Sequence, residues 1–390
     1  MNAPVITGLC ERKPWRQRLS QSLHTSAVTW FTGIRGAGKT TLARSLCADA
    51  AYLDCEDGQS GEATAVALDR IIEGKRTVII DEIHRARNPA ELVRHIRQRV
   101  PDSRILATSS AGLGCRDQIS SVLGETCATI TLAPLLWGEV MKTRLDARAR
   151  RLIRGGLPGF FGNDKEPAEY LAWLENFLAR DVQPIHSFRD TQAVQRLLIF
   201  LLKNSGADLE VSQISRAVGL STTTIERRLT AIEEARFLTR VRPFSSGMRG
   251  PGKLALFYAF DPGFVCAARG WRRVSSENQN LLLRHVVLQH IQTLVPEDKH
   301  GTVIRYWRDH QNHRLDFLVI RDNGEIDAID CQSQLSGYND TSFRCFRKYH
   351  PRGTNLVVAI RAHRAQSAAF MRAGIMGVDP ASMLTKLFRC

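Results

Sequence analysis

Five short runs rich in β-branched, aliphatic and aromatic residues punctuate positions 27 to about 140, with helix-forming stretches between them. Val28-Thr-Trp-Phe31 is the first, and Ala51-Tyr-Leu-Asp54, Thr77-Val-Ile-Ile-Asp81, Arg104 to Ser110 and a run from Thr129 follow. Such runs predict buried strands. Between them, Leu42 and Leu46 lie four apart after the first run, Ala63 to Glu73 predicts a helix, and Pro89 to Arg99 carries Leu92, His95, Ile96 and Arg99 at helical spacing. Pro134 ends the last strand. Strand and helix in alternation imply a parallel sheet with helices on both faces. The preceding residues, 1 to about 26, predict a helical lead-in with a basic cluster at Arg12, Lys13, Arg16 and Arg18.

The pattern changes after residue 140. Residues 141 to 190 predict helices only, with a Gly155-Gly156-Leu157-Pro158 corner and an apolar face formed by Tyr170, Leu171, Leu174, Phe177 and Leu178. No residue in this stretch calls for chemistry. Residues 191 to 262 open on an apolar helix, Val194 to Lys203. Two helices follow, separated by Gly219, the second opened by the hydroxyl residues Ser221, Thr222, Thr223 and Thr224. Strands at Phe237 to Val241 and Leu254 to Asp261 come next. Residues 263 to 390 begin with a helix from Glu277 to Leu294, then strands from Thr302, from Arg314 and from Glu325, and a later one from Leu356 to Ile360. Asp322-Asn323-Gly324 is a hairpin turn signal that brings Asp316 nearly opposite Asp330.

Chemistry concentrates at the end of the first strand. Gly33-Ile34-Arg35-Gly36-Ala37-Gly38-Lys39-Thr40-Thr41 contains the G-x-x-x-x-G-K-T spacing, placed between a strand and a helix N-terminus. Backbone N–H groups and the helix dipole there favour polyanions. Gly33, Arg35, Gly36, Ala37, Gly38, Lys39, Thr40 and Thr41 are therefore the candidate nucleotide-binding residues, with Lys39 on the β- and γ-phosphates and the Thr40 hydroxyl on Mg²⁺. The Thr77–Asp81 strand supplies the second signal. Asp81 would hold Mg²⁺ through its water shell and Glu82 would polarise the attacking water. Glu82, Lys39 and Ser110 are the candidate catalytic residues. Ser110 stands for a strand end, Thr108-Ser109-Ser110, that would sense the γ-phosphate or simply make a turn.

Composition narrows the classes. At 390 residues the chain is too long for one core, so several domains are expected. No run of about 18 apolar residues exists, so no membrane span is expected. The start lacks a signal peptide's order, and nine scattered cysteines without a C-x-x-C pair argue against zinc knuckles and disulfide frameworks. A cytoplasmic chain with free thiols is the expectation. The net charge is +15; 17 basic against 15 acidic residues in the first 140 leave about +13 for the remainder. That surplus points to DNA, with an acidic protein partner or self-association as the alternatives.

The order GIRGAGKTTLAR, VIIDEIHRA, RILATSSAG, ITLAPLLWGEV and RGGLPGF resembles a group of prokaryotic AAA-type ATPases, themselves similar to signal-transducing NTPases. The resemblance spans almost the whole chain. It implies an α/β protein: a parallel-sheet P-loop NTPase core (1–140), a helical lid (141–190), a winged helix-turn-helix (191–262) and a C-terminal α/β restriction-endonuclease-like domain (263–390). It also implies ATP and Mg²⁺. Two departures stand out. Ser109-Ser110 replaces the group's common Gly-Ser, and Gly124-Glu125 replaces Gly-Arg, leaving Arg85, Arg87 and Arg116 as substitutes for a lost arginine.

In the winged-helix-like unit, Thr222, Thr223, Arg227 and Arg228 would enter a major groove and Arg242, Arg249 and Lys253 would meet phosphates. The alternative is an intramolecular docking module. In the nuclease-like unit, Glu277, Asp316, Asp330 and Gln332 occupy the places of a Glu, an Asp and a Glu-x-Lys. Gln332 cannot carry the charge of the lysine, so the expected site is degenerate. The overall expectation is a Mg²⁺-dependent ATPase acting as a nucleotide-controlled, DNA-associated switch. The alternatives are an ATP-gated nuclease of defence or mobile-element biology and a non-hydrolysing nucleotide- and DNA-binding regulator.

Overall fold

The computed structural model describes residues 11–46, 49–56, 65–110, 119, 121, 127–141, 143, 146–183, 188, 190–244, 254–293, 303–361 and 374–387. Two compact units emerge. One comprises residues 1–133 with 179–187 and 234–236; the other comprises 134–178, 188–233 and 237–390.

The first unit is built on five parallel strands, β1 (Val28–Thr32), β2 (Ala51–Asp54), β3 (Thr77–Asp81), β4 (Arg104–Ser109) and β5 (Ala128–Thr131), in the order β2-β3-β4-β1-β5. Every residue of β1 is buried, as its uninterrupted apolar and β-branched run predicts. Helices α1 (Lys13–Thr25), α2 (Lys39–Leu46), α3 (Ala65–Ile72) and α4 (Pro89–Arg99) alternate with the strands. One core joins Val28 and Trp30 of β1 to Val78 and Ile80 of β3, Ile105 and Ala107 of β4, and Val93 and Ile96 of α4. The Asn88 side chain accepts from the Glu91 N–H and Pro89 occupies the first turn, so α4 starts where its cap and its proline both allow. This ordering has a functional consequence. β4 lies between β1 and β3, and the parallel register aligns Thr32 with Ser109. The carboxyl ends of β1, β3 and β4 therefore open on the same edge, where ligands of open parallel sheets bind.

The second unit contains an eight-stranded sheet. Its strands are β6 (Asp208–Leu209), β7 (Leu238–Pro243), β8 (Ala255–Ala259), β9 (Val303–Arg308), β10 (Arg314–Ile320), β11 (Ile326–Gln332), β12 (Asn355–Ala359) and β13 (Met376–Val378), ordered β13-β12-β11-β10-β9-β7-β8-β6. The sheet runs across position 262, because β7 pairs with β9 in parallel through Arg242–Arg305 and Pro243–Tyr306. Wing-like strands and the last strands thus share one sheet. β10 and β11 form the expected antiparallel hairpin, with Gly324 at φ +77° and Asn323 accepting from the Glu325 N–H. α5 (Gln279–Gln292) packs Leu283, Val287 and Ile291 into the core beneath this sheet. α6 (Val211–Val218) and α7 (Thr222–Glu234) flank Gly219, whose φ of +77° is the left-handed turn that glycine permits. Among the described residues no helix is long and apolar enough to cross a membrane.

Candidate functional site

The loop from Gly33 to Gly38 leaves β1 and enters α2 at Lys39. Gly33 has φ +148°, and a Cβ there would meet the Leu132 carbonyl oxygen at 2.5 Å, so only glycine fits this close backbone approach. Gly38, at φ +98°, needs glycine for its conformation alone. Arg12 ties the loop to the fold: its guanidinium donates to the Ala37 carbonyl at 3.0 Å and to the Ala133 carbonyl at 2.9 Å. Gly36 and Thr41 are exposed, Arg35 is half-buried, and Ala37 and Lys39 are buried.

Lys39 Nζ donates to the Gly33 carbonyl at 2.9 Å and lies 3.8 Å from Glu82 Oε1. Burial pushes its pKa down; the charges of Glu82 and then Asp181 oppose that. Asp81, at the end of β3, collects three hydroxyls: Thr40 at 2.8 Å, Tyr52 at 2.5 Å and Thr108. Thr40 and Asp81 meet directly and present hard oxygen donors, a set that fits Mg²⁺.

Glu82 follows with φ +49°, a left-handed backbone that a non-glycine residue adopts at a cost of about 1 kcal/mol or more. The Glu82 N–H donates to Thr108 Oγ1 at 3.0 Å, and Ser110 donates its backbone N–H to Glu82 Oε2 at 2.9 Å. Burial works to raise the Glu82 carboxyl, but Lys39, His84 and the Ser110 N–H outweigh it and hold it below the usual carboxylate range. Glu82 is therefore an anion at neutral pH. The structure brings Lys39, Thr40, Asp81, Glu82 and Ser110 together.

Three participants escaped sequence reasoning. His84 Nδ1 lies 3.3 Å from Glu82 and 3.1 Å from Ser109 Oγ; burial lowers its pKa, so it is neutral at pH 7. Asp181 and Arg180 come from the stretch that seemed to hold no chemistry. Asp181 binds Arg35 at 2.6 Å, and Arg180 binds Glu56 at 2.5 Å, as do Arg85 at 3.1 Å and Arg35 at 3.5 Å. The only available signal was a buried-length helix ending in Arg-Asp, which periodicity alone does not distinguish from a solvated turn. Gly124-Glu125 and Arg116 lie outside the described residues.

The second unit holds a different cluster. An open cavity of about 450 Å³ is lined by Arg284, Arg314, Asp316, Asp330, Gln332 and Tyr338, among others. Asp316 is fully buried and faces two guanidinia, Arg284 at 2.8 Å and Arg314 at 3.2 Å, and accepts the Cys331 N–H at 3.0 Å. Burial raises its pKa, but those arginines outweigh it and keep Asp316 ionised. Asp330 accepts from Tyr338 at 2.8 Å and from Gln332 at 3.0 Å. Glu277 is exposed, precedes the first residue of α5 and does not line the cavity; Arg284, two turns along, reaches Asp316 instead. This corrects the expected carboxylate set: α5 contributes a cation, not an acid.

Burial and then the neighbouring Asp316 push the Asp330 carboxyl up to about 7. Between its ordinary value near 3.8 and about 7, the folded chain keeps a proton that the unfolded chain has lost. Stability of this unit therefore falls as pH rises through that window. Asp330→Asn is expected to flatten the dependence of the urea midpoint on pH and to raise the midpoint at about pH 8. A wild-type pH profile retained in this variant would remove Asp330 as its source.

On α7, Thr222, Thr223 and Arg227 are exposed on one face, with Glu226 beside them bound to Arg240 at 2.9 Å. Arg228 is a correction: it is 7% exposed, with its guanidinium over the Phe188 ring at 5.6 Å, so it belongs to the interior and not to that face. Arg242 is exposed on β7; Arg249 and Lys253 lie outside the described residues.

Sheet order, glycine loop and the Lys39–Thr40–Asp81–Glu82 cluster define the class: an α/β chain with an AAA-like P-loop core of the nucleotide-binding kind. A family match to the first unit agrees. Residues 25–141 match the family described as AAA domain, and residues 145–275 match a domain of unknown function (DUF8612). Uncharacterized proteins of Mycobacterium bovis and Mycobacterium tuberculosis are each 25% identical over 328 residues, covering 81% of this chain and 73% of theirs. Among solved structures, the Walker-type ATPase of Pyrococcus abyssi is 13% identical with a TM-score of 0.45, over 66% of this chain and 95% of that one.

Proposed function

We propose that the chain binds ATP with Mg²⁺ and hydrolyses it, and that the nucleotide state controls a DNA-associated switch in the cytoplasm. The observation that carries the reading is the convergence of Lys39, Thr40, Asp81 and Glu82 at the carboxyl edge of one parallel sheet. In this reading, Mg²⁺ supplies charge neutralisation to the β- and γ-phosphates, held by Thr40 and by Asp81 through water. Lys39 swings from the Gly33 carbonyl to the phosphates, exchanging one oxygen acceptor for another. Glu82, ionised and fixed by Ser110 and Thr108, orients the attacking water and takes its proton. The test is ATP hydrolysis by the full chain with and without DNA. No hydrolysis under either condition removes the catalytic half of the reading.

The DNA half rests on charge asymmetry and on the exposed Thr222, Thr223 and Arg227. Binding to duplex DNA is expected to weaken steeply with salt. Arg227→Ala is expected to weaken it on all sequences and to lower the log–log salt slope by about 1. Binding without salt dependence would instead favour a protein partner. The nuclease alternative is less well supported, because Arg284 and Arg314 already neutralise Asp316 where a metal would have to sit. A non-cutting role for that cavity is the better reading.

A further inference from the structure

Asp181 is fully buried, and its carboxylate is held by side chains from the phosphate edge of the first unit. Its Oδ2 accepts from Arg35 Nε at 2.6 Å, in the middle of the glycine loop. Its Oδ1 accepts from the Ser110 hydroxyl at the end of β4. The same hydroxyl lies 3.0 Å from Glu82 Oε2. A serine has one hydrogen to donate, so Asp181 and Glu82 compete for it.

Two further observations bear on this arrangement. Arg35 Nη2 is buried without a hydrogen-bond partner among the described residues, although Asp181 and Glu56 flank the guanidinium. A buried guanidinium N–H left over at a phosphate loop is a donor still open to an anionic partner. Asp181 also sits on a single π-type turn, Leu178–Val182, a wider coil that recurs at functional sites. The chain on either side of residues 179–187 belongs to the other compact unit.

We propose that Asp181 is a positioning residue that gates the phosphate site: it withholds Arg35 from phosphate and the Ser110 hydroxyl from Glu82, and the triphosphate replaces it as the partner of Arg35. The proposal rests on the nucleotide reading of the glycine loop. Its electrostatics are direct. Glu56 is already answered by Arg85 and Arg180; the remaining carboxylates, Asp81, Glu82 and Asp181, outnumber Lys39 and Arg35 at this edge, and the Asp181 charge is felt at Lys39. A triphosphate arriving there meets one carboxylate too many. Guanidinium binds phosphate and carboxylate with the same fork geometry, so Arg35 can pass from one to the other while Asp181 is expelled. Because residue 181 is flanked in sequence by the second unit, its release gives the nucleotide state a covalent route out of the P-loop core.

The test is Mg-ATP binding by calorimetry with full-length variants. Asp181→Asn is expected to bind Mg-ATP at least fivefold more tightly than wild type. Arg35→Ala is expected to bind it more weakly, and Arg35→Ala/Asp181→Asn no more tightly than Arg35→Ala alone. A merely structural Asp181 predicts the opposite sign, because a loosened site binds less. Unchanged or weaker binding by Asp181→Asn, or a gain that survives loss of Arg35, overturns the proposal. Should Asp181→Asn fail to fold, hydrogen exchange on the wild-type chain decides: with Mg-ATP, amides of Leu178–Val182 exchange faster while those of Lys39–Leu46 exchange more slowly. Slower or unchanged exchange at Leu178–Val182 with a protected Lys39–Leu46 overturns the gate and leaves the nucleotide reading standing. No binding of Mg-ATP by wild type or Asp181→Asn overturns both.

Discussion

Glu82→Gln is expected to bind Mg-ATP within about threefold of wild type and to turn it over at least a hundredfold more slowly. The amide keeps the side chain's shape and an oxygen that accepts the Ser110 N–H. The left-handed backbone at residue 82 and its N–H to Thr108 are untouched by the exchange. What disappears is the negative charge, and with it the ability to polarise water and receive its proton. Lys39 and the Ser110 N–H hold that charge ionised in wild type, so the lost function is specific to the carboxylate. The check pairs calorimetric binding with phosphate release under single-turnover conditions. Normal turnover by Glu82→Gln would show that another group, with His84 the nearest, prepares the water.

Lys39→Ala is expected to weaken Mg-ATP binding by a hundredfold or more, equivalent to about 3 kcal/mol of charge-assisted contact with phosphate. The variant removes the only lysine among the side chains described around the loop and leaves Glu82 without its nearest cation. Glu82 should then be less firmly ionised, so residual hydrolysis should fall further at acidic pH than in wild type. Thermal unfolding without nucleotide separates loss of binding from loss of fold. Because Lys39 is buried at 4% exposure and its amine bonds a loop carbonyl, a modest destabilisation is expected in either case. Tight Mg-ATP binding by a folded Lys39→Ala chain would remove the phosphate loop from the account.

Much of this architecture is local, and local structure is what residue patterns encode. β1 and β3 are continuous apolar runs, each followed at once by its chemistry, so strand, loop and helix start are contiguous in sequence. The Asp322-Asn-Gly324 hairpin is equally local, and it does bring β10 against β11 with Phe317 opposite Ile329. Arg228 shows where such reasoning stops. Arg227 beside it is exposed, whereas Arg228 turns inward with its guanidinium over Phe188, forty residues earlier. Glu277 and Arg284 share one helical stretch with similar polarity; which of them meets Asp316 depends on where α5 begins and how it lies on the sheet.

From the sequence alone follow the alternating α/β core, the glycine loop and the identities of Lys39, Thr40, Asp81 and Glu82, because each depends on residues within a few positions of one another. Tertiary structure alone decided the rest. It set β4 between β1 and β3, so that Thr108 and Ser110 fix Asp81 and Glu82; it placed Asp181 on Arg35 across 146 residues of chain; and it covered Asp316 with two arginines. The physical reason is common to all three. A buried charge must find a partner, and that partner is selected by proximity in the fold, which spacing along the chain does not record.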